Sequence, residues 1–330
     1  MKWKFKKTEK KSGKYFSRSF FCLISILAVM ALVYFRSSNY RNQLDWLLAD
    51  CDHQLLQAST AGNMALMNKL IKEGANVNIC DGKGWTPLHY AAHEGYCSAI
   101  EILLKNGANI EARTDFLWTP LHLAAYQKQK DAVKCLLVAG AAVNARNCLG
   151  NTPLHNAVFQ NAPEVCDVLL AAGADINRGN NSGSTPLDYA VHQGDYAIAE
   201  YLLINHAKPD SGKTGNIERL SCRDAITPLS RTAITGNVKI AALLLKYKAK
   251  INVTCRDGNT PLHFASKFKR KAMLCFLLNN HANPLLKNAL GQLPCDMVDN
   301  PEIKELLYGS MFRNRLAFKG ELVPLNQKVR

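Results

Sequence analysis

A Thr-Pro pair recurs along this chain at a nearly fixed interval, and no other feature of the sequence constrains the fold as strongly. Consecutive pairs are 33 residues apart, except for one step of 42 residues. An active site does not recur many times at one period, whereas a structural unit does. The six pairs, with two weaker copies 33 residues beyond the ends of the series, begin at His53, Thr86, Thr119, Thr152, Thr185, Thr227, Thr260 and Leu293.

Each copy has the residue pattern of two short helices. Thr86 is suited to cap the first helix, because its hydroxyl can accept a hydrogen bond from a free backbone N–H. Pro87 suits the first helical position, where a backbone N–H is not needed. In the second helix Ile100 and Leu103 have helical spacing, and Gly107 is expected to end it in a left-handed conformation. The period therefore predicts a helix-turn-helix unit.

The repeated pattern resembles the ankyrin repeat over residues 53–307. GWTPLHYAAHEG at 84–95 and LLKNGANIE at 103–111 carry the family signature almost intact, and the tail recurs at 136–144 and 169–177. The resemblance implies an all-α fold, a solenoid of about eight helix-turn-helix units with β-hairpin-like loops. One unit cannot bury its apolar side alone, so stability depends on neighbouring copies. Hairpin tips and first helices would line the concave side.

Four histidines occupy the same position in different copies and raise the question of a metal site. They are His89, His122, His155 and His263. Neighbouring helices lie about 8–10 Å apart, whereas zinc ligands all lie about 2 Å from the metal. These side chains therefore cannot share one ion, and we expect no metal and no other cofactor. The ankyrin resemblance implies instead that the histidines form hydrogen bonds across the loops.

The N-terminal segment differs in composition from the repeats. Residues 1–19 are basic, with eight lysines or arginines and one glutamate among the first 18. Residues 20–35 contain no charged side chain, and as a helix they would extend about 24 Å. They predict an N-terminal hydrophobic helix that acts as a transmembrane or signal anchor, followed by a linker over 36–52. A cleaved signal peptide is the alternative, although no clear cleavage site follows.

Two opposing signals bear on the membrane side that would hold the repeats. A basic N-terminal flank stays in the cytoplasm, which places the repeats on the exported side. The chain has eleven cysteines, and Cys135, Cys166 and Cys275 fall at second-helix positions, which favours a reducing compartment. The charge rule acts more directly on insertion and favours export, while the cytosolic side stays the alternative. A secreted effector that reaches a host membrane after synthesis would escape the charge rule.

The later copies depart from the pattern in two ways. The 42-residue step enlarges one loop, at 206–226, which is rich in proline, glycine, serine and charge. The glycine expected after the second helix is also replaced, and a left-handed residue other than glycine costs about 1–2 kcal/mol. We therefore predict that the repeats after residue 205 are less stable than those at 86–190. The replaced positions are His206, Lys248 and His281.

Ankyrin arrays bind other proteins through hairpin tips and the exposed edges of first helices, and the resemblance transfers these positions to this chain. The resulting surface spans four consecutive copies and carries five aromatic residues, which are typical interface anchors. The alternative is that some of them fill the core between repeats. The predicted partner-binding residues are Trp85, His93, Glu94, Phe116, Trp118, Tyr126, Gln127, Leu149, Asn151, Phe159, Gln160, His192 and Gln193.

Together these patterns predict a membrane-anchored, non-catalytic scaffold that binds another protein and is a monomer. The linker and the basic tail 308–330 are too short to form a catalytic domain. The net charge of +15 lies mostly at the two ends, which does not indicate a nucleic-acid surface. No feature indicates a small-molecule substrate. The alternatives are a secreted bacterial-type effector that binds a host protein, and a protein docked on a lipid surface through its basic ends.

Overall fold

The computed structural model describes residues 51–210 and 226–318. All secondary structure within these residues is helical, which confirms the all-α prediction for this part of the chain. Seven helix pairs are followed by a 3-10 helix, Pro294–Met297, and a last α-helix. The α-helices are α1 Cys51–Ala61, α2 Met64–Lys72, α3 Pro87–Glu94, α4 Cys97–Lys105, α5 Pro120–Tyr126, α6 Lys130–Val138, α7 Pro153–Phe159, α8 Pro163–Ala171, α9 Pro186–Gln193, α10 Tyr196–Ile204, α11 Pro228–Thr235, α12 Val238–Lys246, α13 Pro261–Lys267, α14 Lys271–Asn279 and α15 Pro301–Phe318.

Several predicted segments lie outside the described residues. They are the basic segment 1–19, the apolar helix 20–35, the linker up to residue 50, the insert residues 211–225 and the end of the tail, 319–330. Among the helices that the structure describes, none combines the length and the apolar composition needed to cross a membrane.

In the six copies from Thr86 to Thr260, the first helix of the pair begins with the predicted threonine cap. Thr86 has extended backbone angles, with φ −93° and ψ 167°, and its hydroxyl oxygen accepts a hydrogen bond from the N–H of His89. Pro87 occupies the first helical turn. The interaction is local, between residues three positions apart, so the same letters place a threonine at the N-cap of the first helix in these copies. Equivalent threonine N-caps are Thr119, Thr152, Thr185, Thr227 and Thr260.

One apolar core runs through the described repeats, because each helix pair packs against the next. First helices contact first helices, as α3 contacts α5, and second helices contact second helices, as α4 contacts α6. Leu88 and Ala91 of α3 and Ile100 and Leu103 of α4 are completely buried. The small alanine allows the two helices of a pair to approach closely, and the larger residues fill the space between pairs.

The last copy closes the described stack with a shortened first helix. Leu293 replaces the capping threonine, and its backbone N–H donates to a carboxylate oxygen of Asp296 at 2.8 Å. The helix that follows is a single 3-10 turn, and α15 then packs against this turn and α14. Ile303 and Leu307 of α15 are buried against the preceding repeat. The contact covers apolar surface that a stack would otherwise expose at its end.

The turn after each second helix is left-handed whether or not glycine occupies it. Gly107 has φ 87° and Gly140 has φ 94°, as glycine readily allows. In later copies His206, Lys248 and His281 adopt the same turn, with φ of 67°, 66° and 67°. The neighbouring repeats impose this turn even though a side chain strains it. The sequence-based prediction of left-handed non-glycine residues at these three positions is confirmed.

Candidate protein-binding face

The recurring histidines join each repeat to the next. His89 Nδ1 accepts a hydrogen bond from the backbone N–H of Thr86 at 3.1 Å, so the ring proton is on Nε2. Nε2 donates it to the carbonyl oxygen of Trp118 at 3.0 Å, at the base of the next hairpin. Burial lowers the pKa of His89, His122 and His155 to about 4, so these imidazoles are neutral at pH 7.

The same bridge recurs in three other copies. His122 donates to the carbonyl of Asn151 at 3.0 Å, His155 to that of Ser184 at 3.0 Å, and His263 to that of Gln292 at 3.1 Å. The predicted hydrogen bonds across the loops are therefore confirmed. Among the described residues no group of three histidine, cysteine, aspartate or glutamate side chains is arranged to hold a metal ion.

The hairpin tips are linked to one another through their backbones. The N–H of Asp115 donates to the carbonyl of Lys83, that of Cys148 to the carbonyl of Phe116, and that of Asn181 to the carbonyl of Leu149, each at 3.0 Å. Within a tip, a polar side chain closes the turn, as Asn147 Oδ1 does by accepting from the N–H groups of Leu149 and Asn151 at 3.0 Å. Backbone hydrogen bonds between copies thus hold the tips at a fixed spacing, and local side-chain bonds close each turn.

Aromatic rings lie beside these tips, on the residue just before the capping threonine and on the first helices. The ring centroids of Trp85 and Tyr90 are 5.1 Å apart, and those of Trp118 and Tyr126 are 5.4 Å apart, which is within the range of favourable aromatic pairs. Trp85 also packs on His93 at 5.5 Å. In the two copies that follow Trp118, the ring centroids of Phe159 and Tyr189 are 6.3 Å apart. We call Trp85, Tyr90, Trp118, Tyr126, Phe159 and Tyr189 the aromatic face.

Tyr90 and Tyr189 were not among the residues predicted from the sequence. Each directly follows the position that histidine usually occupies, in TPLHY and TPLDY, and this shared place in the first helix is the signal that could have found them. The Tyr90 hydroxyl donates to Asp81 Oδ2 at 2.8 Å and the Tyr189 hydroxyl to Asn151 Oδ1 at 3.0 Å. Both hydroxyls therefore tie a first helix to a hairpin.

The predicted partner-binding residues differ in exposure. Phe116 and Leu149, at two hairpin tips, are exposed to 45% and 36%. The other exposed residues of the set are Glu94, His192 and Gln193. Seven more are half-buried and show one edge to solvent, namely Trp85, His93, Trp118, Tyr126, Gln127, Phe159 and Gln160.

Asn151 is the exception, because it is only 6% exposed. Its carboxamide oxygen accepts hydrogen bonds from Asn180 Nδ2 at 2.8 Å and from the Tyr189 hydroxyl at 3.0 Å. Its backbone carbonyl accepts the bond from His122. Asn151 therefore supports the hairpin from within, and we leave it out of the proposed contact surface.

The polar residues at the ends of the first helices connect neighbouring copies. Gln127 Nε2 contacts His93 Nε2, and Gln193 Nε2 donates to the carbonyl of Phe159 at 2.8 Å. Burial raises the pKa of the Tyr126 phenol, which also contacts the Gln160 side chain. These side chains border the aromatic face with hydrogen-bonding groups, an arrangement that resembles the polar rim of a protein interface.

The bridge is interrupted where the predicted insert joins the stack. Asp188 takes the histidine position in α9, is 3% exposed, and accepts from the N–H of Thr185 at 2.9 Å through Oδ2. Within the described residues its second oxygen has no hydrogen-bond partner, nor has Nε of Arg231. Burial raises the pKa of Asp188 to about 6, although the charge of Arg231 opposes the shift. The next copy has Ser230 in this position.

Comparison with known proteins identifies the family. A family model described as ankyrin repeats (3 copies) matches residues 30–114, 55–147, 121–214 and 212–288, which together cover most of the chain. The chain belongs to the ankyrin repeat family. Ankyrin repeats indicate a scaffold for protein–protein interaction, and proteins of this family are generally non-catalytic.

Several known proteins are similar to part of this chain. Oxysterol-binding protein-related protein 1 of Homo sapiens is 32% identical over 109 residues, 32% of this chain and 12% of that protein. The ankyrin repeat protein FPV230 of fowlpox virus (strain NVSL) is 39% identical over 62 residues, 19% of this chain and 33% of that protein. Protein phosphatase 1 regulatory subunit 27 of Homo sapiens is 38% identical over 82 residues, 25% of this chain and 53% of that protein. The chain therefore spans about a tenth to a half of these relatives.

Proposed function

We propose that this chain is a non-catalytic scaffold that captures a protein partner on the aromatic face and its adjoining hairpin tips. The observation that supports this most directly is the spacing of large apolar side chains on a backbone held by hydrogen bonds between tips. Rigid aromatic side chains lose little conformational entropy when a partner covers them, and they are common anchors of protein interfaces.

The proposed contact surface combines exposed tips with half-buried rings. Phe116 and Leu149 reach furthest into solvent, and Trp118, Tyr126 and Phe159 show edges between them. The half-buried rings also contact their own repeats, so part of their surface belongs to the core. A partner would cover the exposed edges of these rings and would also contact the hairpin tips on one side.

The test is quantitative capture of protein partners by the full chain. Replacing Trp118 and Tyr126 by alanine should abolish capture and leave the helical circular dichroism signal unchanged. The matched control replaces Val138 and Ile204 by alanine, because these residues are exposed to 90% and 58% but lie on second helices. Undiminished capture by the first variant would show that the face is wrong. Loss of capture in both variants would point to a less specific apolar contact.

We also propose that the repeat domain extends over 53–307, that the chain is a monomer, and that residues 20–35 anchor it in a membrane as a single pass. The sequence supports the anchor through its uncharged apolar run after a basic flank. The unaltered chain should stay in the membrane fraction during alkaline extraction. Replacing Leu23 and Leu27 by arginine should release it into the soluble fraction. Extraction of the unaltered chain under the same conditions would contradict the anchor, and protease accessibility of the repeats reports their side.

A further inference from the structure

The charge of the repeats changes sign along the chain. Residues 51–210 contain eleven lysines and arginines and fifteen acidic residues, whereas 226–287 contain eleven lysines and arginines and a single acidic residue, Asp257. Like charges at this density repel one another and destabilise a folded domain. The later repeats therefore concentrate positive charge that the fold itself does not require.

Basic side chains lie in the first turn of α12 and, in the next copy, around the turn between α13 and α14. Arg270, the N-cap residue of α14, donates from Nε to the carbonyl of Ile234 near the end of α11 at 2.9 Å, which ties the two copies together. Lys271 pairs with Glu302 of the following copy. Within residues 51–210 and 226–318, Lys239 and Lys269 pair with no carboxylate. We call Lys239, Lys267, Phe268, Lys269, Arg270 and Lys271, all of them exposed, the basic loop patch.

Two of these lysines stand where fold stability disfavours them. Lys269 has φ 54°, in a turn that glycine occupies in other copies as Gly95, Gly194 and Gly236. Lys239 lies in the first turn of α12, which has no acidic residue there, and a cation is unfavourable at the positive end of a helix dipole. Backbone strain and the dipole both oppose these lysines, and no carboxylate of the described residues pairs with either of them to offset this cost.

We propose that the basic loop patch docks an acidic segment of a protein partner. Carboxylates would pair with Lys239, Lys269 and the free side of the Arg270 guanidinium, which its bond to Ile234 holds in place. An apolar side chain of the same segment would pack on Phe268, which is 40% exposed. The choice of a protein over other polyanions rests on the proposed function, in which the preceding repeats hold a protein partner.

The geometry of Phe268 also favours a protein segment. Its side chain is 40% exposed, and the patch contains no second apolar residue that could enter a bilayer with it. Single-stranded nucleic acids bind on successive stacking platforms, and within the patch Phe268 is the only aromatic residue. One exposed ring among basic side chains therefore suits a peptide that carries an apolar residue among its carboxylates.

The experiment measures binding of a fluorescein-labelled peptide of ten glutamates and two leucines to the full chain by fluorescence anisotropy. Replacing Lys269 by glycine should weaken binding about two- to fivefold, because one exposed ion pair is lost, and should raise Tm because the strain is relieved. Replacing Lys239 by glutamine should weaken binding by a similar factor. The matched control is Lys128→Gly, since Lys128 has φ 60° in an early repeat: it should raise Tm and leave peptide affinity unchanged.

Unchanged affinity in the Lys269→Gly and Lys239→Gln variants would overturn the proposal, and so would an equal loss in Lys128→Gly. Vesicles with 20% phosphatidylserine and a single-stranded RNA of 12 nucleotides are measured in parallel. If the vesicles or the RNA bind more tightly than the acidic peptide, and Lys269→Gly weakens that binding by the same factor, the ligand of the patch is that polyanion and not a protein segment. The Trp118→Ala, Tyr126→Ala variant should keep its affinity for the acidic peptide, so failure of the aromatic face is distinguishable from failure of this patch.

Discussion

The Nε2 atom of His89 donates a hydrogen bond to the carbonyl oxygen of Trp118, 29 positions further along the chain, at 3.0 Å. One imidazole thereby caps its own helix through Thr86 and fixes the hairpin of the next repeat. The aromatic ring of Trp118 is part of the proposed binding surface, so its backbone is positioned by a buried, neutral side chain in the preceding copy. Stability and the geometry of the binding surface are coupled at this bond.

Replacing His122 by alanine should destabilise the repeats by about 1–3 kcal/mol, because the carbonyl of Asn151 and the N–H of Thr119 both lose a buried partner. Urea denaturation followed by circular dichroism measures the change. Exposed His281 serves as the control position, because its replacement by asparagine removes no such bridge. A change below about 0.5 kcal/mol for His122→Ala would contradict the structural role.

Acidification should weaken the stack through its buried histidines. Their pKa is lowered to about 4 from an ordinary value of 6.5, so the neutral ring is favoured in the folded state. Their stabilising contribution is present above pH 6.5 and is lost as the pH falls towards 4. The free energy of unfolding of a His155→Asn variant should therefore depend less steeply on pH in this range than that of the unaltered chain. Equal slopes would be inconsistent with a buried neutral imidazole.

Asp188 should act in the opposite direction. Its pKa is raised to about 6, so its contribution is greatest at low pH and is lost as the pH rises through 6. Asp188→Asn keeps an acceptor for the N–H of Thr185 and removes the buried charge. The variant should be more stable than the unaltered chain at pH 7.5, by about 1–3 kcal/mol, and the advantage should vanish near pH 4. An advantage that does not change with pH would exclude ionisation of Asp188 as its cause.

Glycine should stabilise the later repeats at their strained turns. Lys248→Gly should raise the free energy of unfolding by about 0.5–1 kcal/mol, because a left-handed lysine is replaced by the residue that tolerates this conformation. Gly107→Lys is the reciprocal control and should destabilise by a similar amount.

In the unaltered chain, amide hydrogen exchange should be faster in the copies after residue 205 than in those at 86–190. Slower exchange there would contradict the predicted difference between the two halves.

The sequence by itself determined the period and the helix starts, because each depends on interactions that the same few letters repeat, and the resemblance to ankyrin repeats implied the histidine bridge. Thr86 caps a residue three positions away, and the 33-residue period sets the distance to the next hairpin. The left-handed turns at His206, Lys248 and His281 could likewise be predicted, since a repeat imposes its geometry on whichever residue occupies a given position.

Only the tertiary structure decided which side chains of a copy reach the surface. Asn151 occupies the same position as Trp85 and Trp118, yet it is buried because Asn180 and Tyr189 of the next copy hydrogen-bond to it. Tyr90 and Tyr189 belong to the aromatic face because their rings pack against Trp85 and Phe159, respectively. The basic loop patch depends on the hydrogen bond from Arg270 to Ile234, which ties the start of α14 to the end of α11 in the preceding copy. The exposure of a side chain and the clustering of charges depend on contacts between neighbouring repeats, so the sequence of one repeat does not predict them.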